Sequence, residues 1–419
     1  MSYRYRTSPR SAIPAARVPI GSIASDHFEW GAARSETAGE KVKLGTVRIA
    51  GCHDERRPQP SAMKHNLLPF VLFTLSCLRP SGVGAKQPSL PQGLELRRWF
   101  SFVSEVEDGL ERGDSHLAFQ MKKMHVHAKV LRDGEVIGAF RTETSSTCVD
   151  GEIATFNIAR ALGCGELFQP TAPMELRGKG LATLRQLMAE AKFPAAKEAD
   201  RQGVLEEIAN NPDGLRGGFR KATPVDAVKY HAIEVPVLPP NGGLNEQERV
   251  AVFLKSGAPQ PGKGEIKLKS LACRAPAASL ARELSDILLV DALAGQWDRF
   301  SGGNLHVVVT NGRAHFLAVD NGGANLADDL GYMERFKKWV TRFDRRVVAQ
   351  LFALESFLDG LKMKELAAKP KKFLGFNDEQ SLASAMGMDD PRDWNVFKGR
   401  VREVAAHVRS IGEHAYFSE

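Results

Sequence analysis

Long apolar runs are scarce in this sequence, and no segment reaches the roughly 18 consecutive apolar residues that a membrane-spanning helix needs. Cysteine is scarce too, since five residues in 419 are far fewer than a disulfide-based scaffold carries. The net charge is +7, but the basic residues are spread along the chain and form no runs. We therefore expect no stable membrane span and no nucleic-acid partner.

The composition that remains is typical of a globular protein, with 43% hydrophobic and 26% charged residues. At 419 residues the chain exceeds the usual limit of a single hydrophobic core, so it is long enough for one large two-lobed domain or two ordinary domains. The sequence contains no internal repeat. Its function therefore has to be sought in local motifs.

One segment near the amino terminus, residues 63–85, has the three parts of a secretory signal peptide. A short basic start follows Met63, an almost wholly apolar run covers residues 67–78, and the small residues Val83 and Ala85 close the segment. This order of parts is typical of an exported leader.

A leader belongs at the start of a chain, so we predict that Met63 is the true initiator and that the protein is exported to the periplasm or the cell exterior. Residues 1–62 lack periodicity and are then a disordered or mis-annotated extension. The alternative is a real disordered arm followed by a buried apolar segment. A lipoprotein form acylated at Cys77 fits less well, because no aliphatic residue stands three positions before that cysteine.

Hydrophobic spacing predicts the elements that follow a linker at residues 86–93. The amino-terminal part indicates a helix, a β-hairpin with an Asp-Gly turn, and a second helix that Asp150 caps. The middle, residues 176–261, is less regular and has two helical pieces between Pro- and Gly-rich loops. The predicted elements are a helix over 94–110, strands over 121–130 and 136–140, and helices over 151–162, 181–191 and 203–210.

The carboxyl-terminal part has a strongly apolar helix that leads directly into the sequence Gln-Trp-Asp-Arg, whose carboxylate is Asp298. A hairpin with an Asn-Gly turn follows and ends on Asp320. Two further helical patterns complete the chain. The predicted ranges are 279–294 for the first helix, 305–309 and 314–319 for the strands, and 332–358 and 390–411 for the last helices.

Asp298, Asn304 and Asp320 form the chemical pattern of the sequence. A hairpin with arms of similar length returns the chain to the edge where it began, so the two acids are expected to lie together although 22 residues separate them. Two acids and an amide suit a hard divalent cation that keeps positions open for phosphate oxygens. Phosphoryl transfer needs such a metal, and a carboxylate that orients the attacking hydroxyl and accepts its proton.

Each piece of this pattern has an ordinary structural interpretation when it stands alone. Asp-Asn-Gly-Gly is commonly a plain turn, Asp298 and Arg299 could form a local ion pair, and Asn304 could cap a loop. The combination of helix, Asp-Arg loop, Asn, hairpin and second Asp is harder to obtain by chance, and it favours a phosphotransferase site.

The motif Asp-Arg-Phe-Ser-Gly-Gly-Asn, which begins at Asp298, and the motif Val-Asp-Asn-Gly-Gly around Asp320 resemble the catalytic and metal loops of the atypical secretory-pathway kinases, the family of the Golgi casein kinase and the xylose kinase. The resemblance implies an α+β, two-lobed protein-kinase-like fold. A small amino-terminal lobe of β-hairpins and one helix would cover residues 94–235, and a larger, mainly helical lobe would cover residues 236–419.

The resemblance also implies a role for each residue of the pattern. Asp298 would be the catalytic base, Asp320 a metal ligand and Asn304 a second metal ligand. The implied cofactors are ATP and Mg or Mn, and the implied acceptor is a hydroxyl of a protein or glycan, for a bacterial-type member of the family.

The segment Gly-Glu-Ile-Ala-Thr-Phe at 151–156 resembles the family helix whose glutamate pairs with the phosphate-binding lysine, which implies that role for Glu152. The lysine position itself carries Arg141, whose rigid fork keeps the charge but not the shape of a lysine. Lys129 on the partner strand is the alternative cation. No Gly-rich phosphate loop of the ordinary kinase form precedes the hairpin in the sequence.

The sequence departs from the family pattern at further positions. Phe300 stands where the family has a histidine, and Asn304 comes one position later than in other kinases. His125 and His127 alternate on a strand, and without a third ligand at a clear spacing we expect them to be exposed and not to bind metal. Besides an active kinase, two alternatives stay open: a pseudokinase that binds nucleotide or a partner, which Arg141 favours, and a metal-dependent phosphohydrolase.

Overall fold

Helix α1, Leu94–Arg112, begins the part of the chain that the structure describes. The structure is a computed structural model, and the described residues are 94–121, 126–145, 147–229, 265–267, 274–299, 304–310, 313–327, 332–362 and 372–417. The predicted extension, leader and linker over residues 1–93 lie outside these ranges. None of the helices inside them combines the length and the apolar character needed to cross a bilayer.

A five-stranded antiparallel sheet forms the amino-terminal lobe, with the strands in the order β1-β2-β3-β5-β4. The predicted Asp-Gly hairpin is found between β2 and β3, where Asp133 and Gly134 both have positive φ. The single strand predicted over 121–130 is wrong, because β1 ends at Met121 and β2 begins at His127. The strands are β1 Leu117–Met121, β2 His127–Arg132, β3 Glu135–Arg141, β4 Thr171–Leu176 and β5 Leu215–Lys221.

The two faces of this sheet differ in character because side chains alternate along each strand. Two helices inserted between β4 and β5, α3 Gly178–Glu190 and α4 Ala195–Asn210, pack on one face together with α1. Phe140 and Phe219 are buried in the hydrophobic core on that side. The opposite face carries Lys129, Arg141 and Arg220.

Helix α2, Val149–Ala161, connects this sheet to the rest of the molecule and is buried on nearly all sides. Its apolar residues belong to a second hydrophobic core, which they share with helices from the carboxyl-terminal part of the chain. Cys148, and not the predicted Asp150, caps the first turn, because the Cys148 sulfur accepts a hydrogen bond from the Gly151 amide at 3.2 Å. The predicted helix end is confirmed by Gly163, which lies just beyond it with φ of +80°.

The carboxyl-terminal lobe is mainly helical, and its helices surround the second core. Its central helix is α5, Ala277–Ala294, which precedes the predicted hairpin of β9, Leu305–Thr310, and β10, Arg313–Ala318. The remaining elements are β6 Val228–Lys229, β7 Glu265–Lys267, β8 Arg274–Pro276, α6 Tyr332–Trp339, α7 Arg345–Lys362, α8 Glu379–Met386 and α9 Pro391–Ile411.

The helix predicted over 332–358 is in fact two helices. The chain turns after Trp339, and the Asp344 carboxylate begins the second helix by accepting a hydrogen bond from the Arg346 amide at 2.7 Å. The predicted α+β class is confirmed, since one lobe combines a five-stranded antiparallel sheet with helices and the other consists mostly of helices.

Candidate active site

Gln296 joins the loop that contains Asp298 to the loop that follows β10. Its side chain is fully buried. The Gln296 Oε1 accepts a hydrogen bond from the Asp298 amide at 3.1 Å, and its Nε2 donates to the Asp320 backbone oxygen at 3.3 Å. One side chain therefore holds the backbone of both aspartates.

Arg299 anchors the same two loops and is completely buried. Its Nε and Nη2 donate to the two carboxylate oxygens of Asp291 on α5, at 2.9 and 2.8 Å. Its Nη1 donates to the backbone oxygens of Asn304 and Val319, at 2.8 and 3.0 Å. A further bond runs from Nη2 to the Asn321 Oδ1 at 2.7 Å. All five N–H donors of the guanidinium are therefore used.

Asp298 and Asp320 lie at the same edge, as the hairpin predicts. A Cβ atom placed on Gly323 would lie 2.9 Å from the Cβ of Asp298, so glycine is required where the two loops approach each other. Asp320 has a left-handed backbone, with φ of 54° and ψ of 58°, which aspartate tolerates better than most residues do. The ion pair of Arg299 is with Asp291 and not with its neighbour Asp298.

The Asn304 side chain lies against Asp298. Its Nδ2 donates to the Asp298 backbone oxygen at 2.8 Å and to the Asp298 Oδ2 at 3.1 Å. These two bonds orient the amide through its NH₂ group. The Oδ1 atom lies on the other side of the amide, and amide oxygens are ligands that hard cations bind. This geometry agrees with the loop-capping interpretation and with the metal interpretation.

Arg141 and Glu152 form a buried ion pair between β3 and α2. The Arg141 Nη1 donates to the Glu152 Oε2 at 3.1 Å, and the same nitrogen donates to the Asp320 Oδ1 at 2.6 Å. The strand cation, the helix glutamate and the loop carboxylate are therefore parts of one network. Burial works against the charge of Arg141, but the two carboxylates outweigh it and raise its pKa above the ordinary value.

Arg220 on β5 is a second cation in this network, and the sequence patterns do not single it out. Its Nη1 lies 3.3 Å from the Glu152 Oε1 and 3.3 Å from the Asp320 Oδ1. The strand belongs to the irregular middle of the chain, where Gly217 and Gly218 weaken the alternation that marks a strand. The sequence feature that could have indicated Arg220 is the pair of arginines at Arg216 and Arg220. They are four positions apart and therefore lie on the same face of a strand.

Lys129 lies on the same face of the sheet as Arg141. In the register of β2 and β3 it stands opposite Ala139, two pairs away from Arg141. Glu152 forms its ion pairs with Arg141 and Arg220 and, among the described residues, not with Lys129. Of the two cations that the sequence suggests for the lysine role, the structure brings Arg141 to the glutamate.

His127 stands opposite Arg141 in the sheet register and is buried, so the expected exposure of this histidine is wrong. His125 lies outside the described residues. His127 and Arg141 border a small cleft at the end of the sheet. The other residues that line the cleft are Val126, Thr142, Thr144, Thr147, Lys197 and Asp200.

Asp320 is held in its charged form. Burial opposes ionisation, but the attraction of Arg141 and Arg220 outweighs it and holds the pKa of this carboxyl below its ordinary value of 3.8. The side chain is 42% exposed, so the charged carboxylate also reaches solvent.

The donors at this edge fit a hard divalent cation that binds phosphate oxygens at the same time. Asp320 offers a charged, accessible carboxylate and Asn304 an amide oxygen, which are ligand types that Mg and Mn prefer. Within the described ranges, no group of three or more His, Cys, Asp or Glu side chains is arranged to hold a metal. A metal at this edge would therefore take most of its coordination from phosphate oxygens and water.

Three solved structures align with most of this chain at low sequence identity. The Golgi casein kinase with Mn and ADP bound aligns with a TM-score of 0.45 and 13% sequence identity, over 75% of this chain and 77% of that chain. A second structure of the Golgi casein kinase gives a TM-score of 0.44 and 14% identity, over 75% of each chain. The structure of hydra Fam20 with sugar gives a TM-score of 0.42 and 13% identity, over 71% of this chain and 86% of that chain.

No protein-family model matches the sequence, and no curated protein matches it.

Proposed function

We propose that this protein is an ATP-dependent phosphotransferase that moves the γ-phosphate to a hydroxyl of a protein or glycan. The observation that carries the proposal is the junction of the Asp298 and Asp320 loops, which Gln296 and Arg299 hold at one edge. The Arg141 side chain contacts Asp320 from the opposite lobe. Candidates for the base, the metal ligand and the phosphate-binding cation therefore meet in one place, as phosphoryl transfer requires.

Each residue of this network has a role in the proposal. Asp298 accepts the proton of the attacking hydroxyl, and the Asn304 Nδ2 holds the Asp298 carboxylate in position. Asp320 and the Oδ1 of Asn304 would hold Mg or Mn, which would spread the negative charge of the phosphates when bound. Glu152 and Asp320 fix the Arg141 guanidinium, which supplies positive charge at this edge.

Trp297 is the candidate contact for the acceptor. It immediately precedes Asp298 and is 52% exposed, although large apolar side chains in the described part of the chain are mostly buried. An exposed indole beside the base offers a flat apolar surface to a sugar ring or to an apolar peptide side chain. In the proposal, the acceptor lies on this surface with its hydroxyl directed at Asp298.

The proposal includes export of the protein, for which the signal-like segment over residues 63–85 is the support. Amino-terminal sequencing of material secreted by a host cell tests this part. A mature chain that begins at Lys86 is the expected result, and secreted material that still carries residues 1–62 would contradict it. An exported kinase needs a supply of ATP outside the cytoplasm.

A second candidate is a pseudokinase that binds nucleotide or a partner without transfer. The observation that favours it is the occupation of the Asp320 Oδ1 by two guanidiniums, Arg141 at 2.6 Å and Arg220 at 3.3 Å. That oxygen cannot bind a metal ion until at least one of them moves away. An arginine in the lysine position adds to this argument, because the two side chains differ in shape and hydration.

Incubation with labelled ATP and Mn, with dephosphorylated casein and methyl xyloside as acceptors, distinguishes the candidates. The full chain is compared with Asp298→Ala, Asp320→Ala and the control Asp359→Ala, which removes a surface partner of Arg402. Transfer that the first two substitutions abolish, and the control does not, is the expected result. Nucleotide-dependent thermal stabilisation without transfer would favour the pseudokinase, and phosphate release without labelled acceptor would indicate a phosphohydrolase.

A further inference from the structure

Two arginines from neighbouring strands meet the same pair of carboxylates. In the register of β3 and β5, Arg141 stands opposite Gly218 and Arg220 opposite Ala139, so the two arginines are diagonal neighbours on one face of the sheet. Glu152 receives one guanidinium on each of its oxygens, while the Asp320 Oδ1 is shared by both. Two positive and two negative charges therefore balance in this network.

The two guanidiniums are not held equally. Arg141 has the shorter contacts, 2.6 Å to Asp320 and 3.1 Å to Glu152, while both contacts of Arg220 are 3.3 Å long. Hydrogen bonds between N–H groups and oxygen commonly span about 2.7–3.2 Å, so the contacts of Arg220 are at the weak end. The Arg220 side chain is also more exposed, at 13% against 8%. Arg220 is therefore the guanidinium that exchanges its partner more easily.

A polyphosphate offers Arg220 a better-matched partner than its two 3.3 Å contacts to carboxylates. The guanidinium fork donates two parallel N–H groups, a geometry that matches two phosphate oxygens. Arg220 makes its contacts to described residues through Nη1 alone, so its geometry leaves the second arm of the fork for a ligand. Arg141 cannot leave as readily, because it would give up the short bond to Asp320 and the buried one to Glu152.

We propose that Arg220 is the residue that binds the β-phosphate of the nucleotide, and that Arg141 is a positioning residue that keeps Glu152 and Asp320 in place. This inference rests on the proposed function, since it assumes that a nucleotide binds at the edge formed by the Asp298 and Asp320 loops. When the nucleotide binds, Arg220 exchanges the shared Asp320 oxygen for phosphate oxygens. That exchange also removes one of the two guanidiniums from the Asp320 Oδ1, so that this oxygen can bind a metal ion.

Isothermal titration calorimetry on the full chain tests this assignment with Mn present and with ADP and AMP as the two probes. The variants are Arg220→Gln and Arg220→Lys. Arg216→Gln is the matched control, because Arg216 lies on the same strand and face as Arg220 but pairs with Asp150 at the surface. Urea midpoints of all variants report whether the fold is kept.

The expected result is a loss of ADP affinity of about tenfold or more in Arg220→Gln, as the loss of a charge-assisted hydrogen bond to phosphate predicts. AMP affinity should change much less, Arg220→Lys should recover part of the ADP affinity, and Arg216→Gln should bind ADP like the wild type.

A purely structural role of Arg220 would weaken the binding of ADP and AMP equally, and that result would overturn the assignment. If Arg220→Gln is unstable, the same comparison of ADP with AMP is made on Arg220→Lys. If the wild type binds neither nucleotide, both the proposed function and the assignment of Arg220 fail. If the wild type binds ADP and Arg220→Gln binds it equally well, the assignment of Arg220 alone fails.

Discussion

A single buried arginine holds the two active-site loops in their shape. Arg299 uses all five of its donors, and its ion pair with Asp291 is fully buried. Removal of one partner from a buried pair costs about 3–5 kcal/mol, because the other charge stays behind unpaired. We predict that Arg299→Leu lowers the free energy of unfolding by about this amount, which urea titration measures.

The control for this prediction is the double variant Asp291→Leu with Arg299→Leu, which removes both charges together. Apolar residues of similar volume commonly replace a buried ion pair at little cost. The double variant should therefore recover a large part of the lost stability. A single variant as stable as the wild type would show that Arg299 does not anchor the loops.

The charge of Asp320 makes stability depend on pH at the acidic end. Burial opposes the charge, but Arg141 and Arg220 outweigh it and hold the folded-state pKa below the ordinary value of 3.8. A carboxyl with a lowered pKa contributes stability that is complete above its unfolded pKa and is lost as pH falls through its folded pKa. The stability difference between wild type and Asp320→Ala should therefore stay constant from about pH 5 to pH 7 and shrink below pH 3.8. A difference that grows on acidification would contradict this account, and urea unfolding at a series of pH values measures it.

At the residue scale, the acids could be predicted from the sequence and their partners could not. Asp298 and Asp320 stand at the ends of strongly periodic elements, so their positions follow from the hairpin. Arg299 pairs with Asp291, which lies eight residues earlier in helix α5. The local ion pair with Asp298 that the dipeptide suggests is not formed. Such a partner depends on how the loop folds back on the helix, which spacing along the chain does not contain.

Between elements, the loops of the two aspartates approach most closely at Gly323. A Cβ atom there would lie 2.5 Å from the Gln296 Oε1 and 2.9 Å from the Asp298 Cβ. We predict that Gly323→Ala forces the loops apart and lowers phosphate transfer by about 100-fold, since a displacement near 1 Å has an effect of that order on reacting groups. The matched control is Gly203→Ala in α4, where a Cβ would meet nothing within 4 Å. It should leave transfer unchanged and raise stability by about 0.5–1 kcal/mol, and equal loss in both variants would contradict the argument.

The elements that carry the acids were predicted, while the strand that carries Arg220 was not. Helix α5 and the β9–β10 hairpin have strong hydrophobic periods and a clear turn. In β5, glycine stands where side chains would mark the alternation, because a Cβ on Gly217 would collide with the Arg141 backbone oxygen. The cap of α2 shows a related limit: the Cys148 amide is bound to the Gly322 oxygen at 2.9 Å, so a contact from the other lobe fixes where the helix begins.

At the scale of the whole molecule, α2 ties the cation network to the second core. Phe156 on α2 is fully buried among residues of the carboxyl-terminal lobe, although its helix carries Glu152 of the amino-terminal network. We predict that Phe156→Ala lowers the free energy of unfolding by about 3–5 kcal/mol and weakens ADP binding, because the cavity loosens the helix that positions Glu152. Calorimetry and urea titration measure the two effects. A destabilised variant with wild-type ADP affinity would show that α2 does not couple the two regions.

The central claim is that the molecule transfers the terminal phosphate of ATP with Asp298 as the base. The most direct measurement compares γ-labelled with α-labelled ATP, with Mn present, for the wild type and Asp298→Asn. The account predicts acid-stable label in the acceptor from the γ position alone, and a loss of transfer of about 100-fold or more in Asp298→Asn with ADP affinity unchanged. Label transferred from the α position, or equal transfer by Asp298→Asn, would contradict it.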